Sequence, residues 1–196
     1  MIHLLSLIRA AAEGRGTGID VDGLEVAFAD DGDSLTLAIG PTDSFPDLSR
    51  SLSWSPVEFA GGHAHAGYCA AGRKVASSPI LRAHAKGRSV HLAGHSLGAA
   101  AVEALALWWH LEQFCEVLSV TTFGGPAWLR PGFPWPPTIN RRRVVCGHDP
   151  IPMWCPGYTH HHPANHLPSI WGPFLAPLDH RLSSYERAVI ENVNEL

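Results

Sequence analysis

The sequence predicts an α/β protein in three layers, with an open, mostly parallel central sheet and helices on both faces. Two observations carry this. Apolar, strand-like runs alternate with helical stretches along most of the 196 residues, as they do when parallel strands are joined by crossover helices. In addition, Val90-His91-Leu92-Ala93-Gly94-His95-Ser96-Leu97-Gly98 reads as strand, sharp turn and helix around Gly-x-Ser-x-Gly, the pattern of a nucleophile elbow.

The elements follow in order. Apolar residues at 4, 5, 8, 11 and 12 share one face of a helix over Met1–Glu13, and Gly14–Gly18 is a loop. Leu24–Phe28 alternates as a strand, Asp30-Asp31-Gly32-Asp33 is a hairpin turn, and Ser34–Ile39 is the return strand, ending at Gly40-Pro41-Thr42. Asp43–Leu48 is a loop with apolar groups. His63–Tyr68 opens a helical stretch over Cys69–Ala76, and Pro79 restarts a helix to Lys86. The elbow strand follows. The run Leu97–Leu107 contains only strong helix formers beyond Gly98. Val117–Phe123 is a strand that stops at Gly124-Gly125-Pro126. Trp128–Pro137 is too rich in proline for a regular element, Arg141–Cys146 is a strand, and Met153–Pro177 is a long loop. A closing helix begins near Ser183-Ser184, residue types that cap helices. No repeat or linker divides residues 1–196, so a single domain is expected.

Composition narrows the chemistry. The net charge is −4, from 14 basic and 18 acidic residues, and no basic stripe suggests nucleic acid. Charged residues make up 16% of the chain, against about 25% in an average domain, which suits a greasy substrate. Four cysteines in a chain this long are not a disulfide scaffold, though Cys146 and Cys155 are a candidate pair. The N-terminus has no basic region, and Arg9 interrupts its apolar stretch, unlike a signal peptide. No run reaches the ~18 apolar residues of a membrane span. A soluble chain is expected, with the cytoplasm as its compartment.

The elbow sets the search for partners. A serine hydroxyl attacks only when a histidine, oriented by a carboxylate, removes its proton. On such a sheet the order is Ser, acid, His, so both partners lie after Ser96. Asp149 fits the acid, because it follows the strand Arg141–Cys146 by a tight turn and precedes Pro150. Asp179 is the other late aspartate. Glu103, Glu112 and Glu116 read as a solvated helix face. His180 fits the base, with His160-His161-His162 as the lesser candidates, and His148 is too close to Asp149 in the chain to face it. The oxyanion hole needs the N–H after the nucleophile, on Leu97, and a donor from an earlier strand end, where Thr42 stands. His95 reads as a packing residue. His160–His162 with His166 lack the spacing of a zinc site and read as a polar loop. Trp128–Trp135 serves either as an acyl-pocket wall or as a cover over a sheet edge. Trp108 and Trp109 read as core.

Several segments now line up. Gly40-Pro41-Thr42 with Asp47, His65-Ala66-Gly67-Tyr68, Gly94-His95-Ser96-Leu97-Gly98 and Thr122-Phe123-Gly124-Gly125-Pro126 occur in that order. Val144 through Pro152, Tyr158-Thr159-His160, and His180 with Tyr185 follow them. In this order they resemble the class 3 lipases, α/β-hydrolases of the fungal triacylglycerol lipase type. The resemblance implies Ser96 as nucleophile, Asp149 as acid, His180 as base, and Thr42 and Leu97 as oxyanion donors. It implies a lipid or acyl-ester substrate, transient contact with a lipid interface, and no metal or organic cofactor. Pro41 departs from the glycine usual there. Between Thr42 and His65 no long amphipathic helix of the lid type is written, which places small soluble esters beside triglycerides as substrates. The expected function is a serine carboxylester hydrolase acting through an acyl-enzyme. An acyltransferase or thioesterase with the same triad, or a non-catalytic binding protein of the same fold, are the other readings.

Overall fold

The structure, a computed structural model, describes residues 1–15, 18–41, 55–169 and 176–192. Its strands are β1 (Ile19–Val21), β2 (Leu24–Asp30), β3 (Ser34–Ile39), β4 (Pro56–Phe59), β5 (Gly62–His65), β6 (Ser89–His95), β7 (Glu116–Phe123), β8 (Asn140–Cys146) and β9 (Ala164–Leu167). Its helices are α1 (Ile2–Ala12), α2 (Ala66–Ser77), α3 (Pro79–Ala85), α4 (Leu97–Leu111), α5 (Ala176–Asp179) and α6 (Leu182–Glu191), with a 3₁₀ turn at Ile151–Met153.

Seven strands form one sheet in the order β1-β2-β3-β6-β7-β8-β9, and β4 and β5 form a separate hairpin. The first three are an antiparallel meander, and from β3 onward every neighbour is parallel. The turn between β2 and β3 is fixed by its own aspartates. Asp30 Oδ1 accepts the Gly32 N–H at 2.9 Å, and Asp31 Oδ1 accepts the Ser34 N–H at 2.7 Å.

Two helical layers cover the sheet, as alternation in β3 dictates. Leu35, Leu37 and Ile39 face the larger core with α2, α3 and α4, whereas Ala38 faces the smaller core with α1 and α6. On α1, Leu5, Ile8 and Ala11 are buried, three of the five positions its pattern offered. Helix α4 is apolar nearly all round and buried on every side through Leu107, as expected of a helix inside a core. Its small residues permit close packing: a Cβ on Gly72 of α2 would overlap the Ala104 Cβ.

Several expectations are corrected. Strands β1, β4, β5 and β9 were not legible. His63 and His65, read as opening a helix, lie in β5, and α2 begins at Ala66. Strand β9, with His166, interrupts the expected long loop and pairs parallel to β8. The N-cap of α6 is Arg181, without a side-chain cap; Ser184 instead donates to Leu178 O at 2.7 Å. All four cysteines are free, and Cys146 and Cys155 sit in different cores, which separates the candidate pair. Trp128–Pro137 holds no regular element, but Leu129 bridges Ala64 and Thr159, and Trp128, Leu129 and Phe133 are buried. The segment therefore seals the edge of the β4–β5 hairpin. Among the described residues, no helix is long and apolar enough to cross a membrane.

Candidate active site

The site grows out of the turn between β6 and α4. Ser96 sits there at φ 56° and ψ −125°, a conformation that costs an L-residue about 1–3 kcal/mol. The two glycines make the turn possible by close approach. A Cβ on Gly94 would collide with the Gly98 carbonyl oxygen, and a Cβ on Gly98 would stand 2.5 Å from Ile39 O and 2.7 Å from Gly40 O. The Ser96 N–H donates to Phe123 O of β7 at 3.0 Å, which pins the turn to its neighbouring strand.

Asp149 is carried by the turn after β8. Its own N–H donates to Cys146 O at 3.0 Å, and its Oδ1 accepts the Ile151 N–H at 2.9 Å, so the carboxylate is held by the loop that bears it. The residue is 6% exposed. Tyr185, one turn into α6, donates its hydroxyl to Asp149 Oδ2 at 2.6 Å. Burial, then the adjacent carboxylate charge, hold the Tyr185 phenol well above its ordinary pKa, so it remains a donor. Gly124, at the end of β7 with φ +57°, packs against this pair: a Cβ there would stand 2.6 Å from Asp149 Oδ2 and 2.7 Å from the Tyr185 hydroxyl.

His180 follows α5 and bridges the two. Its Nδ1–H donates to Asp149 at 2.8 Å (Oδ2) and 2.9 Å (Oδ1). Its Nε2 accepts the Ser96 hydroxyl at 2.8 Å. An ionised carboxylate only accepts, so the hydrogen bond at Nδ1 assigns the tautomer and leaves the Nε2 lone pair facing Ser96. The Ser96, Asp149 and His180 side chains, which lie 53 and 31 residues apart in the chain, thus form one continuous hydrogen-bonded line.

His95 supports this line from beneath. Its Nε2–H donates to the His180 carbonyl at 2.8 Å, and its ring stacks on that of His180 at 4.9 Å. Burial, and then the nearby His180, push its pKa down to about 3, which keeps it neutral and fits the packing role. Leu97 is the first residue of α4, where backbone N–H groups have no intrahelical acceptor. Thr42, the other expected oxyanion donor, lies outside the described residues.

The remaining candidates do not join this line. Asp179 is fully buried and accepts the His148 N–H at 3.0 Å and the Ser169 hydroxyl at 2.7 Å through Oδ2. His160 donates from Nε2 to Pro152 O at 2.8 Å, and burial, then the Arg143 charge, push its pKa down to about 4. His161 donates to Arg130 O at 2.8 Å and His162 to Pro163 O at 2.9 Å. Among the described residues, no three His, Cys, Asp or Glu side chains are grouped to hold a metal.

One expectation fails here. Glu103, read as part of a solvated face, is 3% exposed. Its Oε1 accepts from Arg141 Nε at 2.8 Å and its Oε2 from Trp128 Nε1 at 2.5 Å. The Arg141 bond ties α4, the helix that follows Ser96, to β8, the strand that precedes Asp149. Position along an all-apolar helix was the only available signal. Glu112 pairs with Arg82 at 2.6 Å, part exposed, and Glu116 accepts from Ser89 at 2.7 Å at the surface.

The class 3 lipase sequence profile matches residues 40–158, more than half of the chain. The chain belongs to the class 3 lipase family. The matched span contains Ser96 and Asp149 and ends before His180. Solved lipases share the fold. A Rhizomucor miehei lipase–propeptide complex carrying a deletion is 20% identical, with a TM-score of 0.62 over 84% of this chain and 64% of that one. Lip2 lipase from Yarrowia lipolytica is 14% identical, with a TM-score of 0.64 over 85% of this chain and 76% of that one. A triacylglycerol lipase whose catalytic centre is formed by a serine protease triad is 19% identical, with a TM-score of 0.56 over 78% of this chain and 64% of that one. The family member described here therefore spans about two thirds of the length of two of these lipases. No curated protein matches it by sequence.

Proposed function

We propose that this chain is a serine carboxylester hydrolase that cleaves acyl esters such as glycerolipids through an acyl-enzyme. The observation that carries the reading is the His180 bridge, with Nε2 2.8 Å from Ser96 Oγ and Nδ1 2.8 Å from Asp149 Oδ2. Family membership supports the same chemistry.

In this reading His180 takes the Ser96 proton as the oxygen attacks the ester carbonyl. Asp149 holds the imidazole in the required tautomer and stabilises the imidazolium that forms. The Leu97 N–H, with Thr42 as second donor, receives the negative charge of the tetrahedral intermediate. The imidazolium then gives its proton to the leaving alkoxide, and the alcohol departs. His180 next removes a proton from water, the resulting hydroxide attacks the acyl-Ser96 carbonyl, and collapse releases the carboxylic acid and returns the proton to Ser96. A lipid surface is the proposed partner.

The test is turnover of p-nitrophenyl esters of increasing acyl length by wild type and by Ser96→Ala. Hydrolysis by wild type, with kcat reduced more than about a hundredfold in a folded Ser96→Ala variant, supports the reading. Equal turnover by both contradicts it.

A further inference from the structure

The three residues that immediately precede Ser96, Asp149 and His180 are His95, His148 and Asp179. His95 is bonded to the triad, and the other two are bonded to each other. His95 donates to the His180 carbonyl at 2.8 Å, and His148 donates its backbone N–H to Asp179 Oδ2 at 3.0 Å. The second bond closes a ring. From Asp179 the chain leads covalently to His180, whose Nδ1–H meets Asp149 at 2.8 Å. Asp149 leads covalently back to His148, whose N–H returns to Asp179.

The Asp179 carboxylate is 0% exposed, and burying an ionised carboxylate costs several kcal/mol unless it is well bonded. A smaller neutral acceptor would satisfy one N–H more cheaply. The site is built around the carboxylate nonetheless. Gly147 sits at φ +46°, and a Cβ there would stand 2.5 Å from Asp179 Oδ2. Ser169, at the end of the segment after β9, donates its hydroxyl to the same oxygen at 2.7 Å. Among the described residues, the loops that bear the acid and the base are also joined at the reacting end by the His180–Asp149 and Tyr185–Asp149 bonds.

We infer that Asp179 is a positioning residue: its carboxylate, by holding the His148 N–H, fixes the loop bearing Asp149 against the loop bearing His180. This rests on the proposed ester hydrolysis by the Ser96–His180–Asp149 line. The Nδ1 bond to Asp149 and the stacked His95 hold the imidazole itself, and the His148–Asp179 bond adds a second, parallel tether between the loops that carry acid and base. Loss of the tether displaces His180 from Ser96 without removing a group that would contact the acyl chain, so it lowers kcat and leaves KM nearly unchanged.

Steady-state kcat and KM for Asp179→Ala, Asp179→Asn and Ser169→Ala test this, with folding checked by circular dichroism. Asp179→Ala is expected to lose about a hundredfold in kcat, the effect of a displacement of about 1 Å at a reacting group. Asp179→Asn keeps an acceptor but loses the charge-assisted half of the bond, with a loss of about tenfold. In both, KM stays within about threefold. Ser169→Ala removes a bond to the same oxygen but leaves the ring intact, so its kcat stays within about twofold even where its melting temperature falls. If Asp179→Ala does not fold, the other two variants decide. Asp179→Asn with wild-type kcat, or Ser169→Ala with an equal loss, overturns the inference. Wild-type protein that neither turns over esters nor labels at Ser96 with a fluorophosphonate overturns the proposed function itself, whereas an active, labelled enzyme indifferent to Asp179→Asn overturns only the positioning role.

Discussion

The Tyr185 hydroxyl meets Asp149 Oδ2 at 2.6 Å, and both residues are buried. The acid is thereby bonded on both oxygens by protein groups besides His180, since Oδ1 also takes the Ile151 N–H. Tyr185→Phe deletes one charge-assisted bond and little volume. It is expected to cost about 2 kcal/mol of stability and to lower kcat about tenfold, with KM unchanged, as measured by urea unfolding and ester kinetics. A variant with wild-type kcat contradicts a role for Tyr185 in holding the acid.

The two buried late aspartates separate by magnitude. Asp149→Asn places an amide against His180 Nδ1 and selects the wrong tautomer, and kcat is expected to fall by about 10⁴. For Asp179→Asn the expected fall is about tenfold, because the bond to the His148 N–H loses its charge assistance. A reversal of that order in ester kinetics would show that the acid has been assigned to the wrong residue.

Much of this was legible in the sequence, and what was not has physical causes. The hairpin turn at Asp30–Asp33 and the elbow are written in local residue chemistry, because each needs particular side chains or glycines at fixed offsets. Strands β1 and β9, with three and four residues, are too short for a period, and β9 exists because a distant strand, β8, offers it an edge. The β4–β5 hairpin likewise depends on the remote Trp128–Leu129 segment, whose Trp128 O accepts the His65 N–H at 2.8 Å. In the site, residue types and chain order pointed to Ser96, Asp149 and His180, and the structure brings their side chains together. Tyr185 was noted only in the closing His–Tyr pattern and Asp179 only as the other late aspartate; their partners, 36 and 31 residues away in sequence, were not legible. Glu103 was misjudged because its partner Arg141 is 38 residues distant.

Acid sensitivity follows from the buried histidines. His95 and His160 have pKa values lowered to about 3 and about 4, against about 6.5 in an unfolded chain. Between those limits the unfolded state binds more protons than the folded one, so stability falls as pH drops below about 6.5. From pH 6.5 to 5 each histidine is expected to remove about 2 kcal/mol. His95→Gln is expected to flatten that slope in urea unfolding measured across pH. An unchanged slope would show that His95 is not held neutral.

The Glu103–Arg141 pair is 3% and 5% exposed. Glu103→Ala leaves a buried guanidinium without its carboxylate and is expected to cost about 3–5 kcal/mol. The double change Glu103→Leu with Arg141→Met is expected to be milder than the single one, because no charge is left stranded. Chemical denaturation of the three proteins checks this, and a single variant within about 1 kcal/mol of wild type contradicts it.

The central claim is that His180 activates Ser96. Its most direct test is the rate of covalent labelling by a fluorophosphonate, with the modified residue located by mass spectrometry. Wild type is expected to label at Ser96 alone, folded Ser96→Ala not at all, and folded His180→Ala at least about a hundredfold more slowly, since the hydroxyl then has no base. Absence of label on Ser96 in folded wild type, or labelling of His180→Ala at the wild-type rate, would contradict the account.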